Sequence, residues 1–178
     1  MKRTLLYLAG LFILLAPTAH AQRSFGLAGG VSMPSGNFPG DYPTGWHVLA
    51  TLRFDKPAWP FALRIDGMVN RFEGQPVAQG TNIRAAEHHI STLNGNLLYP
   101  VSAGRIEPYL IGGAGYYSQD GGIANHNLGL NAGVGLRVPF GTRSMFVEAR
   151  YHNFLAADLS HAPQPPARLV PISLGITF

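Results

Sequence analysis

Apolar and polar residues alternate along most of this chain with a period of two. Such a period places successive side chains on opposite faces of a β-strand, so it predicts strands rather than helices. Gly-, Pro- and Asn-rich segments separate eight alternating stretches. The predicted strands are Ser24–Met33, Thr44–Phe54, Pro60–Phe72, His88–Tyr99, Arg105–Ser118, His126–Val138, Ser144–Phe154 and Leu169–Phe178.

The connections between these strands alternate in length. Short connections follow strands two, four and six, whereas long connections follow strands one, three, five and seven. In an antiparallel meander this arrangement gathers all the short turns at one end and all the long loops at the other. We therefore predict an all-β fold, an eight-stranded antiparallel up-and-down barrel.

Each strand separates into an apolar face and a face of polar, charged or small residues. Strand seven shows this most clearly, with Met145, Val147, Ala149 and Tyr151 against Phe146, Glu148, Arg150 and His152. A soluble barrel would turn its apolar faces inward, and a membrane barrel would turn them toward lipid. The pattern alone is compatible with both arrangements.

The N-terminus favours the membrane arrangement, because it has the features of an export signal. Lys2 and Arg3 precede an apolar run over residues 5–15, which is too short for a membrane helix. The predicted cleavage site consists of Ala19, Ala21 and Gln22. Residues 1–21 are thus predicted to be removed as a signal peptide, which leaves 22–178 as one exported domain.

Aromatic residues near the strand ends also favour a membrane barrel, since such residues form girdles at membrane interfaces. The predicted girdle residues are Trp46, Phe54, Trp59, Phe61, Tyr99, Tyr109, Phe140, Tyr151 and Phe178.

The last strand has a distinctive pattern of its own. Apolar residues occupy alternate positions up to the final aromatic residue, namely Val170, Ile172, Leu174, Ile176 and Phe178. This pattern resembles the C-terminal assembly signal of bacterial outer-membrane β-barrels, which implies recognition by the barrel assembly machinery during biogenesis.

Four further segments extend the resemblance over the whole mature sequence. They are IEPYLIGGAGYY (106–117), LNAGVGLRVPF (130–140), MFVEARYHNF (145–154) and SLGITF (173–178). With these segments the chain resembles the small eight-stranded outer-membrane barrels, the OmpA/OmpX-like transmembrane domain. The resemblance implies a monomer in the bacterial outer membrane, with periplasmic termini, extracellular long loops, and contacts with membrane lipid and lipopolysaccharide.

Charged residues on the polar faces would point into the lumen of such a barrel. The predicted lumen network consists of His47, Arg53, Arg64, Asp66, Arg137, Glu148 and Arg150. Unpaired buried charges are costly, so these residues should pair or hydrate, and the resembling family has ionic networks at such positions. Four arginines against two acids would favour anions along any path through the lumen.

The function expected from the sequence is a structural or surface-interaction role, with the lumen plugged by this network and without catalysis. The alternatives are a narrow porin-like channel for small solutes, a lipid A-modifying enzyme and a soluble exported barrel that holds a ligand. Outer-membrane lipid A deacylases, which are also eight-stranded barrels, use a His and a Ser two residues later. Here Phe154 follows His152 at that spacing.

The sequence predicts no cofactor, metal site or nucleic-acid partner. His88 and His89 are adjacent, so on a strand they face opposite ways and cannot easily chelate one ion. Charged residues make up 12% of the chain, against about 25% in a typical soluble domain. The basic excess is small and forms no patch that would indicate binding to nucleic acid.

Overall fold

The computed structural model describes residues 22–36, 43–74, 87–102, 104–120, 125–155 and 167–178. The predicted signal peptide, with Ala19 and Ala21 of its cleavage site, lies outside these residues, as do large parts of the long loops. Within the described ranges, no helix is long and apolar enough to cross a membrane.

Eight strands form a closed antiparallel barrel in which each strand pairs with the next along the chain and the last pairs with the first. The fold class predicted from the sequence is confirmed. The strands are β1 Gln22–Gly36, β2 Gly45–Asp55, β3 Ala62–Phe72, β4 His88–Pro100, β5 Glu107–Asp120, β6 Asn125–Phe140, β7 Arg143–Phe154 and β8 Ala167–Thr177.

The strand bounds differ from the predicted ones mainly at β1 and β6. The prediction ended β1 at Met33, before a proline, whereas pairing with β8 continues to the Gly36–Ala167 pair. Pro34 therefore does not end the strand. It lies opposite Leu169 of β8, and the residues before and after it along the chain are paired with β8 as well. Similarly, β6 continues to Phe140, which pairs with Arg143.

The turn between β6 and β7 shows how the short connections are made. Gly141 has a φ of 62°, and Thr142 is the only other residue between the two strands. A two-residue hairpin turn with positive φ at its first central position is of type II′, in which glycine is favoured because it lacks a Cβ. This turn, like those after β2 and β4, lies at the end that we call the turn end.

The outer surface of the barrel is apolar in every strand. An exposed apolar side chain from the middle part of each strand illustrates this band: Leu27, Val48, Val69, Leu93, Leu110, Val134, Val147 and Leu174. Water would oppose such exposure at about 25 cal/mol for each Å² of apolar surface. The closed barrel also pairs the backbone groups of all its strands, as a structure that faces hydrocarbon requires.

The β8 residues follow the predicted alternation. Ile172, Leu174 and Phe178 are exposed, whereas Leu169 and Ser173 are buried on the opposite face. The outward face of this strand therefore contributes to the apolar band, and the part that it plays in assembly stays a prediction.

One predicted girdle residue is placed wrongly by the sequence pattern. Tyr109 is only 6% exposed, and its side chain faces the lumen in an apolar cluster with Ala62, Leu98 and Ile111. The error arises because Tyr109 and Ile111 on one face of β5 alternate with the apolar Leu110 on the other, so the two faces cannot be distinguished by hydrophobicity.

A charge in the middle of the outer apolar band should destabilise the barrel in a depth-dependent way. Val134→Arg places a guanidinium in the middle of β6 and should cost about 2–4 kcal/mol, because the charge would lie in hydrocarbon. Val138→Arg, on the same face near the turn, should cost about 0–1 kcal/mol. Urea unfolding in phospholipid vesicles measures both values, and equal costs at the two positions would contradict a lipid-facing band.

Candidate functional site in the barrel lumen

Four buried charges from opposite walls of the barrel meet in the lumen. Arg64 and Asp66 come from β3, and Glu148 and Arg150 come from β7, four strands away. The members of each pair are two positions apart, so both point to the same side of their strand. All four residues are almost completely buried. We call these four residues the lumen ring.

Each arginine of the lumen ring contacts both carboxylates. Arg64 lies 2.9 Å from Asp66 and 2.8 Å from Glu148. Arg150 lies 2.8 Å from Asp66 and 2.7 Å from Glu148. Two positive and two negative charges therefore compensate one another, which lowers the cost of holding these ions away from water.

Neutral donors and an aromatic ring complete the surroundings of the lumen ring. The Tyr109 hydroxyl donates to Glu148 at 2.7 Å, and the Asn96 amide donates to Asp66 at 2.8 Å. The Arg64 guanidinium lies 6.0 Å from the centre of the Phe146 ring. The sequence prediction missed Tyr109 and Asn96, although Asn94 and Asn96 mark the polar face of β4.

A glycine makes room for the Tyr109 side chain. A Cβ at Gly135 would overlap the ring of Tyr109, which is directly across from it in the β5–β6 register. The absence of a side chain at this position therefore allows the tyrosine to lie in the lumen and to reach Glu148.

His47 belongs to a separate cluster of neutral groups. Its Nδ1 lies 2.9 Å from the Ser32 hydroxyl and its Nε2 lies 2.8 Å from the Ser173 hydroxyl. Ser32 donates its own proton to Asn70 at 2.6 Å. Ser32 must therefore accept from Nδ1 of the imidazole, and in the neutral ring Nε2 accepts from Ser173. His47 thus lies in the lumen, but its hydrogen bonds go to hydroxyls and not to the lumen ring.

Arg53 and Arg137 also lie apart from the lumen ring, near the turn end. Arg53 makes two hydrogen bonds to Asp55, of 2.8 and 2.6 Å. The Nε of Arg137 donates to Glu107 at 2.7 Å, and this acid is its partner in the β5–β6 register. Two features of the sequence could have indicated these ion pairs, namely the two-residue spacing of Arg53 and Asp55 and the position of Glu107 at the start of β5.

These two acids correct the expected charge balance. The sequence counted four arginines against two acids, whereas in the structure Asp55 and Glu107 pair with the two outer arginines. Every predicted lumen arginine has an acidic partner. The positive excess that would have favoured anions is therefore absent among the described lumen residues.

A cavity of about 450 Å³ lies at the turn end, and Asp55, Glu107 and Arg137 are among its lining residues. The other end of the lumen contains an apolar cluster beside the buried polar side chains of His88, Gln119 and His152. There Phe72, Ile90, Tyr117, Phe154 and Leu169 form a buried cluster. The lumen thus changes from rim ion pairs, through the lumen ring and neutral polar groups, to an apolar layer near the long loops.

His152 lies in this apolar region and faces the lumen. It is fully buried, and the Tyr117 hydroxyl lies 2.7 Å from its Nδ1. Phe154, two residues later, is buried on the same face, and its ring lies 4.5 Å from that of Tyr117. Neither side chain is placed to meet a lipid at the outer surface.

The two adjacent histidines diverge as their spacing implies. His88 is buried, whereas His89 is partly exposed beside Glu87, at 3.6 Å. In the part of the chain that the structure describes, no group of three or more His, Asp or Glu residues could hold a metal ion.

Loss of the Tyr109 hydroxyl should weaken the barrel because it leaves Glu148 without its neutral donor. Tyr109→Phe should lower the free energy of unfolding by about 1.5–3 kcal/mol, the usual worth of a hydrogen bond to a charged group. Urea unfolding in lipid vesicles measures the change. Tyr151→Phe, on the exposed face of β7, is the matched control and should change the value by at most about 0.5 kcal/mol. Equal effects of the two substitutions would contradict the role of the Tyr109 hydroxyl.

Comparison with protein-family models and with curated protein sequences gave no match. Comparison with solved structures gave clear matches over nearly the whole chain. Neisserial surface protein A is 12% identical, with a TM-score of 0.66, over 89% of this chain and 98% of its own. The attachment invasion locus protein Ail of Yersinia pestis is 11% identical, with a TM-score of 0.53, over 90% of this chain and all of its own.

The outer-membrane enzyme PagL is 20% identical, with a TM-score of 0.53, over 87% of this chain and 98% of its own. Because these identities are low, the matches establish the architecture and leave the activity open. The chain has the fold of the small eight-stranded outer-membrane β-barrels.

Proposed function

We propose that this protein is a bacterial outer-membrane β-barrel with a structural or surface-interaction role and a closed lumen. The observation that carries the proposal is the lumen ring, in which Arg64 and Arg150 each contact Asp66 and Glu148. Side chains from opposite walls are joined across the interior. A path for solutes through this level would have to separate them.

The location in the outer membrane is supported by the apolar band on all eight strands and by the fold shared with outer-membrane proteins. In this proposal the turn end and the termini face the periplasm, and the long loops face the exterior. The protein is a monomer, and the outer face of its barrel contacts lipid and lipopolysaccharide. The last strand, β8, presents the signal that the barrel assembly machinery recognises.

Energetics favour a closed lumen over a porin-like channel. Separating a buried ion pair leaves charges without compensation, at a cost of about 3–5 kcal/mol when one partner is removed. The apolar cluster around Phe72, Ile90 and Leu169 adds a second barrier between the lumen ring and the long loops. Ions would have to cross both barriers.

No catalytic role is proposed. The similarity to PagL is one of fold. His89 and Ser91 on β4 have the lipid A deacylase spacing of a His followed two residues later by a Ser, whereas in β7 the residue at that distance from His152 is a Phe. His152 and Phe154 occupy that spacing, and both are buried in the lumen. A lipid substrate at the outer surface would not reach either side chain.

At the opposite end from the turns, the described rim carries charges that suit contact with water or a partner. Arg71 lies 2.6 Å from Glu87, and both side chains are substantially exposed. The hydrogen bond from Arg71 lowers the pKa of the Glu87 carboxyl below its usual value. This carboxylate therefore stays ionised in mildly acidic surroundings, and the rim keeps charges of both signs.

A membrane barrel should leave cell envelopes only with detergent and should migrate differently in gels before and after boiling. The reason is that the closed barrel survives the detergent of the gel and stays compact until it is heated. Fractionation followed by gel electrophoresis of boiled and unboiled samples checks both properties. A protein that remains soluble without detergent would contradict the membrane assignment.

The closed lumen predicts very low conductance of the purified, refolded barrel in planar bilayers. Glu148→Ala should raise the conductance, because it removes one acid of the lumen ring and the volume of its side chain. Glu87→Ala, an exposed acid at the rim, is the matched control and should leave conductance unchanged. Variants are compared only if they show the mobility shift of a folded barrel. A wild-type barrel that conducts steadily would favour the porin-like alternative.

A further inference from the structure

We propose that the outer rim at the turn end binds the phosphate groups of anionic phospholipids in the adjacent leaflet. The binding residues are Lys56 and Arg143, and a third cation, Arg23, lies in the same arc. This inference rests on the proposed function, because it requires the barrel to span a membrane.

Each of these cations lies against an aromatic ring. The charged group of Lys56 is 5.2 Å from the centre of the Trp59 ring, and that of Arg143 is 5.2 Å from the Phe178 ring. Arg23 lies 5.9 Å from the Phe54 ring. Contact with a ring face stabilises a cation by about 0.5–1 kcal/mol at an exposed site and limits its motion.

The three pairs occupy one continuous arc of the barrel. Arg143 begins β7 and Phe178 follows β8 directly, so the first pair joins these two strands. Two backbone hydrogen bonds between Phe178 and Phe25 connect β8 to β1. Arg23 is the register partner of Phe54 on β2. The third pair lies in the following turn, where the Trp59 amide donates to the Lys56 carbonyl at 2.9 Å.

The acids near this arc are occupied elsewhere. Asp55 is paired with Arg53, and Glu107 is paired with Arg137. Within the described ranges, Lys56 and Arg143 form no ion pair with a carboxylate. Arg105, in the turn between β4 and β5, adds another exposed positive charge to the same end. The outward charged side chains described at the turn end are therefore positive.

The described rim at the opposite end has charges of both signs. Arg71 is paired there with Glu87, and Glu73 is exposed nearby. Among the described residues, only the turn end combines outward cationic side chains with acidic side chains that are all paired at the mouth of the lumen. An anionic partner would therefore be attracted to this end.

The position of the cations identifies the partner. They lie just beyond the outer apolar band, to which Phe25, Leu27 and Leu174 contribute in this arc. A lipid whose acyl chains contact that band places its phosphate at the level of the cations. Phosphate oxygens accept strong, charge-assisted hydrogen bonds from Lys and Arg. Anionic phospholipids are preferred over zwitterionic ones because their headgroups carry no compensating positive charge.

The test is lipid retention by the refolded full chain in detergent micelles, measured by native mass spectrometry. An equal mixture of phosphatidylglycerol and phosphatidylcholine of the same chain length is added. We expect the wild-type barrel to retain phosphatidylglycerol preferentially. The preference should fall about fivefold in Lys56→Gln and in Arg143→Gln, and it should fall further in the double variant. The reason is that each basic residue near a charged lipid surface contributes about 1 kcal/mol.

The matched control is Arg168→Gln, which removes one exposed positive charge from β8 at the opposite end. It should leave the preference unchanged, whereas Arg143→Lys should keep most of it. An equal loss in Arg168→Gln, or an unchanged preference in the double variant, would overturn the proposal. Each sample is first tested for the mobility shift on boiling. A folded barrel without lipid preference would contradict only this inference. A chain whose gel mobility does not change on boiling would contradict the membrane assignment itself.

Discussion

The compensation of four charges inside the barrel is the constraint on which the rest of the structure depends. Arg64 and Arg150 can remain buried only because Asp66 and Glu148 approach both of them. This approach requires β3 and β7 to be held opposite each other, and closure through the β1–β8 pair holds them there. Register, closure and interior charge therefore depend on one another.

Space in the lumen is part of the same constraint. The side chain of Tyr109 reaches Glu148 over Gly135, where any Cβ would overlap its ring. Large polar side chains can cross a narrow barrel only where the facing positions are small. The glycines on the inward faces are thus as necessary to the lumen ring as the charged residues themselves.

The two ends of the barrel differ in their chemistry as well as in their connections. At the turn end, Asp55 and Glu107 are each paired with an arginine near the mouth of the lumen, whereas the outward cations lie against aromatic rings. The other end is closed inside by an apolar cluster and carries outward charges of both signs. This asymmetry follows from where the chain places its turns, and it gives each leaflet of a membrane a different surface to contact.

The sequence by itself determined the eight strands and which side chains share a face, because a period of two is a local property. The alternation of short and long connections indicated the up-and-down order, and the export signal with the aromatic residues indicated which faces point inward. The sequence therefore placed Arg64, Asp66, Glu148 and Arg150 on inward faces. Only the tertiary structure decided which charges meet, since pairing across the lumen depends on closure and register. For the same reason, only the structure showed that Arg53 and Arg137 each pair with an acid at the turn end and that His47 forms hydrogen bonds with hydroxyls. It also showed that Tyr109 faces the lumen, which the sequence could not indicate because the residues around it are apolar on both faces of β5.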